Sequence, residues 1–194
     1  MAGRPKIYDE SQVLDKAVKV FWEKGYENAS ADDLLKEMGI GKGSFYLAFK
    51  GGKQELFEKT MNRVANKYFM EFREVVIKCE DPVQLIKDFF LSLAGERSPI
   101  GNKGCYFGNA LVQVTNNETG LKELAASHLH LLESIFIEAM LRGKKLGLLQ
   151  SDQTAKILGS YLINLWNGIN VTKRMEANPK TLAKIIKLNL GIIE

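Results

Sequence analysis

The chain is poor in the residue types that stapled or metal-dependent proteins rely on. Its two cysteines, Cys79 and Cys105, are not a disulfide framework. Its two histidines, His128 and His130, lie two positions apart, so on a helix they point to different sides and cannot chelate one metal ion together. Four prolines are too few for a linker-rich or disordered chain. No apolar run approaches the roughly 20 residues that span a bilayer, and the MAGRPK start has no apolar signal core. These absences predict a reducing, cytoplasmic location and no membrane partner. Chemistry is scarce too. No GxGxxG follows a strand pattern, and GIGKGS at 39–44 is too short for a P-loop and lacks the preceding strand. Without a nucleophile–base pair, phosphate cradle or metal cluster, the chain is expected to be no enzyme and to need neither cofactor nor metal. A cysteine enzyme using Cys105 with His128 is the remote alternative.

What is present is helical rhythm. No period-two strand pattern and no internal repeat occurs, so the fold class expected is all-α, with about nine helices. Residues 1–9 form a polar arm containing Pro5. Val13, Leu14, Ala17, Val18, Phe21 and Trp22 then share one face of a helix from about Glu10 to Lys24, ended by Gly25; its aromatics are read as core. Ser30 is placed to cap the next helix, with Asp32 and Asp33 in its first turn and Gly39 as its stop. Ile40 buries the turn, and a second short helix runs from Gly41 to Lys50 with Phe45 and Phe49 facing inward. Two short helices joined by a Gly turn have the geometry that lays one helix in a DNA major groove.

Charge follows the same plan. The net charge is only +4, yet residues 1–6 hold Arg4 and Lys6 without an acid, and residues 39–53 hold Lys42, Lys50 and Lys53 without an acid. Residues 7–38 between them set four lysines against eight acids. Positive charge is concentrated where phosphate contact requires it; a random surface fluctuation is the competing account. Beyond Lys53 a long helix reaches about Lys78, and Asp81-Pro82 starts another to about Ala94. Residues 95–104 read as a loop, Cys105–Asn116 as a short helix, and Asn117 or Glu118 to Lys145 as a longer one. Ser151 or Asp152 caps a helix to about Met175, and Pro179 opens the last. Both final helices are apolar over more than one stripe, which fits either a buried monomeric bundle or a homodimer interface. His128 could edge a pocket, and Phe107, Gln113, Tyr161, Asn164 and Trp166 are candidates to line a cavity of mixed polarity. Asn164 and Asn167 serve equally as dimer contacts.

The run AVKVFWEKGYENASADDLLKEMGIGKGSFYLAFKGGKQELF, residues 17–57, resembles the head of the tetracycline-repressor (TetR) family of bacterial transcriptional regulators. Its helix–Gly-Tyr, Ser cap, Gly-Ile turn, Lys-Gly-Ser-Phe-Tyr and Lys-x-x-Leu-Phe carry the likeness over about a quarter of the chain. Gly51-Gly52 departs from the usual Ser before Lys53, which leaves the cap of the following helix open. The resemblance implies a helix–turn–helix DNA-binding domain over residues 1–53 and an effector-sensing, dimerisation domain over 54–194. It implies a homodimer, paired through the last two helices, on a palindromic operator in double-stranded DNA, and a repressor released by a small molecule or by modification of Cys105. A non-specific architectural DNA binder is the other alternative. By position, Ser30, Tyr46 and Lys53 would hold phosphates, with Lys50 beside them. Lys42, Gly43 and Ser44 would approach base edges, Leu47 a thymine methyl, and Arg4 with Lys6 the minor groove. Gly104-Cys105 and Lys173 are similar to the branch that senses electrophiles and oxidants, in which a cysteine at a helix start is the sensor and a lysine can bond it. A thiol at a helix N-terminus is expected to have a lowered pKa; an inert buried cysteine is the competing reading.

Overall fold

The structure, a computed structural model, describes residues 9–95, 103–115, 118–175 and 178–194. Arg4 and Lys6 lie outside the described residues. Among those described there are helices and turns and no strand, so the chain is all-α. Helix α1 (Glu10–Asn28) starts at Asp9, whose carboxylate accepts from the Ser11 N–H, and breaks at Gly25, whose φ of 79° and ψ of 168° are not helical. Helix α2 (Ala31–Met38) opens with a reciprocal cap between Ser30 and Asp33 and closes at Gly39 in the left-handed conformation. Helix α3 (Lys42–Ala48) is shorter than the sequence suggested. Phe45 and Phe49 face the core as expected, while Tyr46 and Leu47 stay exposed.

The long connector is three pieces. Helix α4 (Gly52–Val64) passes into a π-helical segment, Ala65–Met70, and then into α5 (Glu71–Lys78). The missing serine cap is made good from within: the Glu55 carboxylate accepts from the Gly51 N–H at 2.8 Å. Arg63 clamps α4 to α1 through two hydrogen bonds to Asp15, at 2.7 and 2.6 Å, and a third to the Ser11 hydroxyl. Such a fork on a carboxylate fixes angle as well as distance.

Helix α6 (Pro82–Ser92) is capped by Asp81 and begins with proline where its absent N–H costs nothing. Helices α7 (Tyr106–Gln113), α8 (Thr119–Lys145), α9 (Ala155–Arg174) and α10 (Pro179–Leu190) complete the body, with a 3₁₀ turn over Gly191–Ile193. The cap of α9 is Thr154 rather than Ser151 or Asp152. By length and composition α8 is apolar enough to cross a membrane, contrary to the sequence reading. Its Leu121, Leu132, Ile135, Phe136 and Met140 are instead buried in the protein's own core. Helices α8 and α9 approach closely because Gly159 has no side chain: a Cβ there would stand 3.0 Å from the Ile137 backbone nitrogen. Tyr161 ties α9 to α10, its hydroxyl donating to Asn189 Oδ1 at 2.7 Å.

Candidate nucleic-acid interface and effector cavity

The exposed surface of the head is built by what the core removes. Because Phe45 and Phe49 turn inward, Lys42, Gly43, Ser44, Tyr46, Leu47 and Lys50 all remain exposed on and just after α3. Leu47 keeps 81% of its surface in water, a large apolar exposure for an isolated residue on a short helix. A Cβ at Gly43 would meet nothing within 4 Å, so that position is open to close approach. Two proposed phosphate anchors already have partners. The Ser30 hydroxyl donates to Asp33 Oδ2 at 2.8 Å and accepts from the Asp33 N–H at 3.1 Å. Lys53 Nζ donates to the Glu27 carbonyl at 3.1 Å and stands 4.7 Å from the centre of the Tyr26 ring. Lys24 beside Asp33, with the Ser30 hydroxyl and N–H, holds that carboxyl at about 2.

A cavity of about 210 Å³ lies between head and body. Trp22 of α1 supplies one wall. The connector supplies Val64, Tyr68, Phe69 and Phe72, and α6 supplies Phe89 and Leu93. The remainder comes from Cys105, Tyr106 and Phe107 at the start of α7, Leu132 of α8 and Trp166 of α9. Among the described residues no charged side chain is one of these walls. Of the sequence candidates, Cys105, Phe107 and Trp166 line the cavity. His128 stands behind Phe107, ring centres 4.9 Å apart, with Nε2 3.1 Å from Asn62 Oδ1. Burial lowers its pKa.

The other candidates are elsewhere. Tyr161 and Asn164 line a separate cleft between α9 and α10, with Leu165, Gly168 and Asn189. Gln113 abuts Gly25: a Cβ on that glycine would fall 2.2 Å from its Oε1. Lys173 is buried, and its pKa is lowered by desolvation. The cation whose field reaches Cys105 is its neighbour, Arg174. Arg174 also donates to the Lys103 carbonyl at 2.6 Å.

Cys105 is at the helix start, as expected, but its thiol is not activated. The sulfur accepts from the Gly108 N–H at 3.4 Å, which favours a thiolate, yet burial outweighs that help and pushes the pKa up. The expectation of a lowered pKa is therefore corrected: a helix N-terminus offers partial charge, whereas an apolar cavity removes the water a thiolate needs. The hydrogen-bond partner of the Cys105 sulfur is Gly108, whereas that of His128 Nε2 is Asn62. Among the described residues no group of three metal-ligating side chains converges.

Sequence reasoning treated Trp22 as packing, and it is more. Its indole N–H donates to the Gly104 carbonyl at 2.9 Å, and its ring meets Tyr106 edge-on at 5.4 Å. Tyr26, one turn on, donates to Glu118 Oε1 at 2.8 Å; burial and the Glu118 carboxylate raise its pKa far above the usual phenol range. Lys103 reaches Glu23 at 2.7 Å. One face of α1 is thereby fastened to the segments flanking α7. The only signal was the position of Trp22 at the edge of its apolar stripe.

Residues 13–60 match the family model for bacterial regulatory proteins of the tetR family. Those residues are a tetR-family head. The chain is 27% identical over 199 residues to YezE, an HTH-type transcriptional regulator of Bacillus subtilis (strain 168), spanning 99% of this chain and all of that protein. It is 24% identical to the HTH-type transcriptional repressor ComR of Escherichia coli (strain K12), over 98% of this chain and 91% of ComR. Its fold matches that of the TetR-family regulator CifR, solved as a cysteine mutant with a 26-base-pair double-strand operator DNA. The TM-score is 0.84 at 24% identity, over 96% of this chain and 98% of that one.

Proposed function

We propose that this TetR-family chain is a repressor that binds a palindromic operator as a homodimer and releases it when a small molecule enters the cavity beside Trp22. The observation that carries the reading is that one residue of the head, Trp22, is also a wall of the cavity in the body. Residues 1–53 then act as the reading head and 54–194 as the sensing and pairing body, with the seam from α1 to α7 between them. An occupant pressing on Trp22 and Tyr106 acts on α1 without any intermediate element. Operator DNA in the fold neighbour CifR and the repressor ComR among the relatives support the DNA-binding half.

Lys42 and Ser44 are the base readers, because the first turn of a recognition helix is the part that reaches base edges. Lysine donates to guanine O6 and N7, and Leu47 offers apolar contact to a thymine methyl. Tyr46 and Lys50 are exposed phosphate anchors. Lys53 reaches a phosphate while its stem stays on Tyr26, and the Ser30 hydroxyl exchanges Asp33 for a phosphate only with loss of part of its cap. Arg4 and Lys6 are assigned to the minor groove. Pairing runs through α9 and α10, whose Ile157, Val171, Ile185 and Leu188 are apolar and exposed. A cytoplasmic, non-enzymatic role goes with this reading. Burial, which pushes the Cys105 pKa up, favours non-covalent occupancy of the cavity.

The test is a binding titration of purified protein against its own promoter-region DNA and against scrambled DNA of equal length. A preference of about 10³-fold or more is expected, with a two-to-one ratio of chains to operator. Equal affinity for both DNAs removes the regulator reading and leaves the architectural one.

A further inference from the structure

Glu118 is only half satisfied where head meets body. Its Oε1 accepts from the Tyr26 hydroxyl at 2.8 Å, while its Oε2 is buried and has no hydrogen-bond partner. A buried polar atom left without a partner costs stability and calls for an explanation. An apolar pair of similar shape would hold the fold at least as well, so what a hydrogen bond adds at this place is direction.

The surroundings give that direction a use. The Tyr26 ring is buried and held on its own account, with the Phe57 ring of α4 at 4.8 Å and the Lys53 ammonium 4.7 Å from its centre. Glu118 is the N-cap residue of α8. Helix α8 packs closely on α9 at Gly159, and α9 is one of the two helices assigned to pairing. Arg63 also ties α1, but to the connector, and the Lys103–Glu23 pair is an exposed contact of a kind worth little. Among the described residues, two sheltered hydrogen bonds then join α1 to the segments flanking α7: Trp22 to Gly104 and Tyr26 to Glu118.

Those two points lie four residues apart, about 6 Å along a helix. Together they fix the tilt of α1, whereas either alone leaves a pivot. A slip of about 1 Å at Tyr26 over that lever tilts α1 by about 10°, and in a two-fold dimer the error counts twice. One base pair turns the groove by about 34°, so the doubled tilt is more than half of a base-pair step.

Resting on the homodimer reading above, we infer that the Tyr26–Glu118 hydrogen bond is the strut that sets the spacing of the two reading heads and so makes the dimer selective for one half-site separation. Tyr26 and Glu118 are positioning residues. They act on the operator through α1, not by contact with DNA.

The probe is the palindrome from the protein's own promoter region, intact and with one base pair added to or removed from its centre, titrated with the full-length protein. Wild type is expected to bind either altered spacing about 10-fold or more weakly. Tyr26→Phe keeps the ring and removes the hydroxyl; Glu118→Met removes the carboxyl together with its unmatched oxygen. Each should cut the ratio to about 3-fold or less. Glu118→Gln keeps an acceptor for Tyr26 and should keep the wild-type ratio. The Glu118→Met result stands as a test even if Tyr26→Phe does not fold. A merely structural role would lower Tm in these variants and leave the spacing ratio as it is; that result overturns the inference, as does a wild type indifferent to spacing. Binding of one chain per operator, or no preference over scrambled DNA, removes the homodimeric regulator reading itself and this inference with it.

Discussion

Gly25→Ala is the sharpest single probe of the joint between head and body. At φ 79° and ψ 168°, Gly25 occupies a backbone region that is almost exclusively glycine's, and placing a Cβ there costs about 1–3 kcal/mol. The new Cβ would also lie 2.2 Å from Gln113 Oε1 and 2.9 Å from its Cδ, so the amide must swing out. Gly39→Ala is the matched control: φ 71° and ψ 30° are left-handed helical, a region alanine enters for about 1–2 kcal/mol, and only Lys16 Nζ, at 3.7 Å, is near. Reduced unfolded-state freedom returns some ~0.4–1 kcal/mol where the backbone is compatible. Gly39→Ala should therefore cost about 1 kcal/mol and Gly25→Ala about 2–4 kcal/mol. In a chain this long, each kcal/mol lowers Tm by about 2–4 °C. Urea unfolding followed by tryptophan fluorescence reads both variants, and Gly25→Ala with Gln113→Ala separates the displaced amide from the backbone strain. Should Gly25→Ala cost no more than Gly39→Ala, the backbone argument is wrong.

Removing Lys50 or Lys53 as alanine should weaken binding to all DNA sequences alike and reduce the slope of log affinity against log salt by about 1. Lys42→Ala should instead relax base preference at one operator position, seen by binding to single-base operator variants. In thiol labelling near neutral pH, Cys79, which is half-buried, should react first, and Cys105 only as the protein unfolds. Equally fast reaction of both would show that burial does not protect Cys105. Stability should fall as acid is added from about pH 4 towards pH 2, where Asp33 protonates. Both Asp15, held low by Arg63, and Asp33, held low by Lys24, have folded pKa values below their unfolded ones. Their stabilisation is thus complete above the unfolded value and disappears as pH drops through the folded one. Asp15→Asn should flatten that acid limb in thermal melts recorded from pH 5 to pH 2.

The head was readable in the sequence because its determinants are local. Ser30 with Asp33, Gly39 as a stop, Gly25 as a break and the inward Phe45–Phe49 pair each act within a few residues, and the structure has all four. The cavity was not readable, because its walls come from six separate stretches and each wall residue also satisfies a core stripe. Phe72, Phe89 and Trp22 obey the 3.6-residue rhythm whether the space before them is filled or empty. The same rhythm gave no means of telling Tyr161 and Asn164, which line another cleft, from Trp166 one turn further on. For Cys105 the helix start was visible and the burial that overrides it was not. Likewise, Lys173 and Arg174 are adjacent in the chain, and only the packed arrangement brings the second towards the thiol.

The π-helical segment Ala65–Met70 carries a consequence for phase. A π turn takes up one residue more than the α-helical repeat, and one residue of an α-helix corresponds to about 100° of rotation. The connector thus behaves like a shaft with a fixed offset at its middle: Arg63, ahead of the offset, bears on α1, while Phe72, beyond it, bears on the cavity. Deleting one residue within 65–70 would let the shaft run as continuous α-helix with its ends nearly in their present phase, whereas rewinding all six residues as α-helix would turn the reading heads by roughly a quarter of a revolution against the body. A dimer assembled on such bodies would keep its pairing and its cavity, yet present its two recognition helices out of step with the grooves.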